Sequence, residues 1–67
     1  MTNLELYGMA LENAREVSSS NPGKKVCILW DEANTEFTII FADKVKQHEK
    51  KFGKLPLMAT FLNGVCI

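Results

Sequence analysis

His48, Cys27 and Cys66 are the residues of this sequence best equipped for chemistry, and a run of lysines surrounds the histidine. A histidine acting as general base needs a nucleophile or substrate group within hydrogen-bond reach and a tuned pKa. Either cysteine could pair with His48. The sequence offers no third group to orient the imidazole and no oxyanion loop. One His and two scattered Cys, without C-x-x-C spacing, make no zinc set. These residues predict no catalytic activity, no metal and no cofactor. His48 reads as a half-buried side chain flanking a core. The cysteines read as buried or half-buried free thiols, because free Cys behaves as a small hydrophobe.

The stretch DKVKQHEKKFGK, residues 43–54, carries Lys44, Lys46, Lys50, Lys51 and Lys54. Lysines that contact phosphate release counterions, so these could form an anion-binding face, with Lys24 and Lys25 nearby in charge. Against this, the lysines spread over a broad arc, as on any solvated helix face. No arginine among them can read a base edge bidentately. Phe52 falls on the opposite, apolar stripe, which leaves no exposed aromatic for base stacking. The acidic stretch DEANTE, 31–36, lacks the alternating carboxylates and central Gly of a calcium loop and reads as a polar hairpin loop. It could also hook a basic partner electrostatically.

The elements that must position these residues follow from periodicity. Thr2-Asn3-Leu4-Glu5 fits a capping box. At 100° per residue Leu4, Tyr7, Ala10, Leu11, Ala14 and Val17 share one side, with Glu5, Gly8, Glu12, Arg15 and Glu16 opposite. The pattern predicts an amphipathic helix over 3–18. SSSNPG, 18–23, breaks it through side-chain competition and turn chemistry. Gly8 on the wet face has no account beyond tolerance or a close contact.

Residues 24–31 and 36–42 are rich in β-branched and aromatic side chains around a polar centre, and predict a β-hairpin. Asp31 opposite Glu36 puts Trp30 against Phe37, Ile28 against Ile39 and Val26 against Phe41. Those six large side chains make one face, and a one-residue slip would mix the faces. A second helix is expected over 44–52, with Asp43 as N-cap, Val45, His48 and Phe52 on its buried stripe, and Gly53 and Pro56 ending it. A third strand is expected over 57–62. Asn63-Gly64 is a strong turn dipeptide. Val65 to Ile67 are too short to stand alone but could fold back on a sheet edge.

The order α-β-β-α-β predicts an α+β fold: a single small two-layer domain over 1–67 with a three-stranded, mainly antiparallel sheet packed by two helices. The expected strand order is 2-1-3, with both helices on the Trp30/Phe37 face. This order is not that of the RNA-recognition, KH or double-stranded-RNA-binding modules, whose signature loops are also missing. Cys27, Leu29, Thr38 and Ile40 would then face outward with alternate residues of the third strand. A monomer rarely leaves such an apolar face uncovered. Two competing arrangements remove the problem: one helix on each face, or residues 65–67 wrapped over it.

Composition bounds the function classes. The chain has 67 residues, no formal net charge and 46% hydrophobic residues. This apolar fraction excludes a disordered chain, and charge balance selects no polyanionic partner by itself. A domain of about this size buries only roughly 60% of its unfolded surface, so a partner or second copy would help stabilise it. The N-terminus lacks a signal-peptide pattern and no apolar run reaches membrane-spanning length, so the expected place is the cytoplasm, with no membrane partner. The expected function is a small non-enzymatic protein-binding protein acting through an apolar sheet face or edge. It would be an inhibitor, adaptor or regulator, in the manner of phage or mobile-element accessory proteins, and a homodimer. The alternative is a nucleic-acid-binding module using the lysine-rich helix.

Overall fold

Thr2 and Glu5 start the first helix as a capping pair. The Glu5 N–H donates to Thr2 Oγ1 at 3.2 Å, and the Thr2 hydroxyl in turn donates to Glu5 Oε1 at 3.2 Å. The structure, a computed structural model, describes residues 2–67. Helix α1, Asn3–Ser20, runs on past Ser18 because Asn21 closes its end. The Asn21 side-chain amide donates to the Val17 carbonyl (2.8 Å), and its backbone N–H to the Ser18 carbonyl (3.3 Å). The buried stripe is Ala10, Ala14 and Ser18, with Leu11 and Val17 packed alongside. Small residues at i, i+4 and i+8 let the helix axis lie close to the sheet. Leu4, expected on this stripe, is 80% exposed at the helix start.

Strands β1, Val26–Asp31, and β2, Glu36–Phe41, form the expected hairpin in the expected register, from Val26↔Phe41 to Asp31↔Glu36. The side-chain period of two puts Val26, Ile28 and Trp30 on one face with Phe37, Ile39 and Phe41. Helix α1 packs on that face, around Ala10, Ala14, Val26, Ile28 and Phe61. Tyr7, Phe37 and Trp30 close the loop end of this core, with ring centroids 5.3 Å and 4.7 Å apart along the chain of three. Fully burying a side chain such as Ile28 or Phe61 contributes about 1.5–3 kcal/mol relative to exposure.

Helix α2, Val45–Phe52, follows a 3-10 turn at Ala42–Lys44. Asp43 lies inside that turn and caps nothing; the N-cap position of α2 is Lys44, with no side-chain cap bond. Gly53 ends the helix at φ 83°, ψ 174°, a conformation open almost only to glycine. Strand β3, Leu57–Leu62, pairs antiparallel to β1. The sheet has four strands in the order β2-β1-β3-β4, which corrects the expectation of three. The fourth is β4, Val65–Cys66, joined to β3 through Asn63 (φ 53°) and Gly64 (φ 82°). Positive φ at both residues is the two-residue hairpin geometry that Asn-Gly favours. The tail is too short to persist alone and is held by the β3 ladder, to which the Ile67 N–H donates at the Thr60 carbonyl (2.8 Å).

The second correction concerns layers. Helix α2 lies over the opposite sheet face from α1, as shown by the cleft that Val45 and Glu49 share with Cys27 and Leu29. Chirality explains this. Strands β2 and β3 run parallel to each other on either side of β1, so α2 is a crossover connection. The Ala42 N–H donates to the Lys25 carbonyl and the Trp30 N–H to the Pro56 carbonyl. Odd residues of β1 therefore turn their backbone groups toward β2 and even residues toward β3. With L-residues in that arrangement, a right-handed crossover must pass over the side chains of the odd residues, Cys27 and Leu29. Right-handed crossovers are nearly universal.

Candidate functional site

The face beneath α2 is built by strand alternation. Cys27 and Leu29 occupy it on β1, Thr38 and Ile40 on β2, Thr60 and Leu62 on β3. A shift in the β1–β3 register after Ile28 brings Leu57 opposite Leu29 and onto this same side. Val65 pairs with Leu62, and the Ile67 N–H bonds to Thr60, so the tail side chains at 65 and 67 extend this face.

Helix α2 covers only part of it. Cys27 is 6% exposed and Leu29 3%, so neither forms the outward surface expected of them; they floor a cleft of about 520 Å³. Val45, Glu49 and Leu55 stand over that floor. The Cys27 thiol lies 4.0 Å from Thr60 Oγ1. Thr38 and Ile40 are half-buried. The β3–β4 half of the face is bare: Leu57 is 60% exposed, Val65 62% and Ile67 63%, with Met58 at the strand start also exposed. Residues 57, 58, 65 and 67 were not separable from core residues by composition. The signal available was the Asn63-Gly64 dipeptide, whose two-residue turn fixes which side chains of β4 share a face with β3.

The chemistry-bearing residues do not converge. His48 is half-buried, its ring 4.8 Å from that of Phe52, and it does not line the cleft above Cys27. Its Nδ1 is buried without a hydrogen-bond partner among the described residues. Both cysteines are free; Cys27 is buried, whereas Cys66, expected to be at least half-buried, is exposed on the edge strand. Among the described residues no group of three or more His, Cys, Asp or Glu side chains could hold a metal ion. No helix is long and apolar enough to cross a membrane.

Lys44, Lys46, Lys50, Lys51 and Lys54 are all exposed, and so are Lys24 and Lys25. Phe52 departs from expectation: it is 66% exposed. The chain turns at Gly53 and brings Leu55 back to the sheet, so Leu55 takes the place over the cleft that the helical stripe assigned to Phe52.

In the DEANTE loop the carboxylate of Asp31 bonds inward. The Asn34 side-chain amide donates to it at 2.8 Å and the Asn34 backbone N–H at 3.2 Å. The amide bond is the main cause of an Asp31 pKa below the ordinary carboxylate value; partial desolvation opposes it, and the Asn34 and Ala33 N–H groups and the His48 imidazole add to the lowering.

Comparison with known proteins finds no match to a family model, to a curated protein or to a solved structure.

Proposed function

We propose that the chain is a small non-enzymatic protein-binding module whose binding surface is the uncovered β3–β4 half of the sheet. The observation that carries this reading is the unequal covering of one face. Helix α2 seals Cys27 and Leu29, while Leu57, Val65 and Ile67 on the same face remain open to solvent. Exposing these side chains to water is unfavourable by about 25 cal/mol per Å², and docking an apolar partner surface recovers that. The exposed Met58 adds an unbranched side chain able to adapt to more than one partner contour. Such a module acts by occupying or bridging another macromolecule, as an inhibitor, adaptor or regulator.

Affinity capture with the wild-type chain and with the Leu57→Lys/Val65→Lys double variant tests this reading. The variant should keep its melting temperature, because both positions are largely exposed, and should lose the protein that the wild type retains. Retention of the same protein by both chains would remove the β3–β4 face from consideration.

One observation favours a second reading. The exposed ring of Phe52 sits beside Lys50, Lys51 and Lys54 in sequence, and an aromatic among cations is the pattern of a single-strand stacking platform. Fluorescence anisotropy with labelled single- and double-stranded DNA and RNA at low and physiological salt tests it. Binding that weakens steeply with salt and disappears in Lys50→Glu/Lys51→Glu would establish this reading. A flat signal at low salt would return the lysines to a solvated helix face.

A further inference from the structure

The opposite margin of the sheet carries a second surface, independent of the β3–β4 face. Strand β2 is an edge, with β1 on one side only. The ladder bonds pair Lys25 with Ala42, so alternation turns the N–H and C=O groups of Phe37, Ile39 and Phe41 away from β1. No backbone bond from a described residue meets them. The other margin is blunted, because β4 has only two residues. The six-residue β2 is long, and between Phe37 and Phe41 it carries no charge, no proline and no bulge, the devices that normally protect an edge.

We infer that a second copy of this chain pairs with β2, edge to edge and antiparallel, about a two-fold axis at Ile39. The sequence of the edge selects that occupant. Phe37-Thr38-Ile39-Ile40-Phe41 reads nearly the same in both directions. Two-fold pairing sets Phe37 opposite Phe41 of the second copy, Thr38 opposite Ile40, and Ile39 opposite itself. Aromatic and β-branched cross-strand pairs of this kind are favourable. Glu36, the charged residue of the strand, meets Ala42 of the second copy and not another carboxylate. The pairing thus joins the unmet backbone groups without opposing like charges.

The flanks of the edge fit the same occupant. On the α1 side a hollow lined by Leu6, Met9, Asn13, Phe37 and Ile39 opens toward it, and Met9 is 52% exposed. Helix α1 contacts β1 and both of its neighbours, β2 and β3, and so is centred over β1; the two copies of α1 would stand about three strand spacings apart, roughly 14 Å at about 4.8 Å each. That exceeds the 8–10 Å of direct helix contact. The helices therefore do not collide, and Leu6 and Met9 of each copy fill the space between them. The result is one continuous sheet through both protomers, with an isologous interface.

Light scattering across micromolar to millimolar concentration, on reduced protein so that the exposed Cys66 forms no cross-link, should show a monomer–dimer equilibrium. Hydrogen exchange read at single amides should show protection of Phe37, Ile39 and Phe41 that rises with concentration, while the amides of Thr38 and Ile40 stay protected throughout. Chemical synthesis with N-methyl-isoleucine at position 39 removes only an outward N–H and keeps the side chain in the core. At the axis this deletes hydrogen bonds from both copies, and the dimer dissociation constant should rise roughly tenfold or more. A monomer at every concentration overturns the inference. So does a dimer whose Phe37, Ile39 and Phe41 amides exchange freely, a result readable even if the N-methyl chain does not fold. Leu57→Lys/Val65→Lys should leave the dimer intact; if it dissolves the dimer, the second copy sits on the β3–β4 face instead.

Discussion

At the scale of single residues, Ser18 and Asp31 show how polar groups are used where the core cannot reach. Ser18 has no exposed surface, donates to the Arg15 carbonyl at 3.3 Å and accepts from the Gly64 N–H at 2.6 Å. It ties α1 to the β3–β4 turn. Ser18→Ala leaves the Gly64 N–H without that partner and should cost about 1–3 kcal/mol, measured by urea denaturation. Asp31 makes a pH prediction. Its folded pKa lies below the unfolded value, so its contribution to stability is present above the unfolded pKa and is lost as pH falls through the folded one. Melting temperatures taken down through the acid range below the ordinary value of 3.8 should fall in the wild type. Asp31→Asn should flatten that part of the profile; an unchanged acid slope would remove Asp31 as its source.

At the scale of elements, local signals were strong wherever a backbone conformation or an alternation was at stake. The capping pair, the hairpin register and the Asn63-Gly64 turn were all legible, because each depends on residues near one another in sequence. Gly64 makes this testable. It has φ 82°, and a side-chain carbon there would collide with the Ser19 hydroxyl. Gly64→Ala should therefore destabilise the fold by more than about 1 kcal/mol, as a lowered urea midpoint. A neutral result would mean that the β3–β4 hairpin contributes little to global stability. Helix α2 was the element least legible in detail. Its apolar period puts Val45, His48 and Phe52 on one stripe, yet Val45 and His48 are only half-buried, Phe52 is exposed, and Leu55, outside the helix, stands over the cleft. Periodicity cannot report where the chain re-enters after a helix ends.

At the scale of the whole molecule, the two sides of the sheet behave differently, and substitutions should reveal it. Leu29→Lys places a charge in a position only 3% exposed and should unfold the protein or leave it a loosely packed state, seen as loss of near-UV circular dichroism. Leu57→Lys, its cross-strand neighbour, should shift stability by less than about 0.5 kcal/mol. Comparable effects at both positions would mean that α2 covers neither or both. The contrast also separates the parts of the candidate site that could be read in advance. Alternation alone puts Cys27, Leu29, Thr38 and Ile40 on one face, as the β1–β2 register has them. That α2 would cover Cys27 and Leu29, and leave residues 57, 65 and 67 bare, was not legible.

The sequence by itself determined the two helices and the first three strands, their order, the pairing of β1 with β2 and the side chains that those two strands put on each face. Those properties follow from capping, turn chemistry and a period of two, which act over a few residues. Only the tertiary structure decided the layer in which α2 lies, the pairing of residues 65 and 66 as a fourth strand, and the split of one apolar face into a sealed half and an open half. The physical reason is that these depend on the hand of a crossover and on contacts between residues distant in sequence, such as the Gly64 N–H that donates to the Ser18 hydroxyl at the base of β4. A pattern of apolar positions is the same whichever side the helix takes.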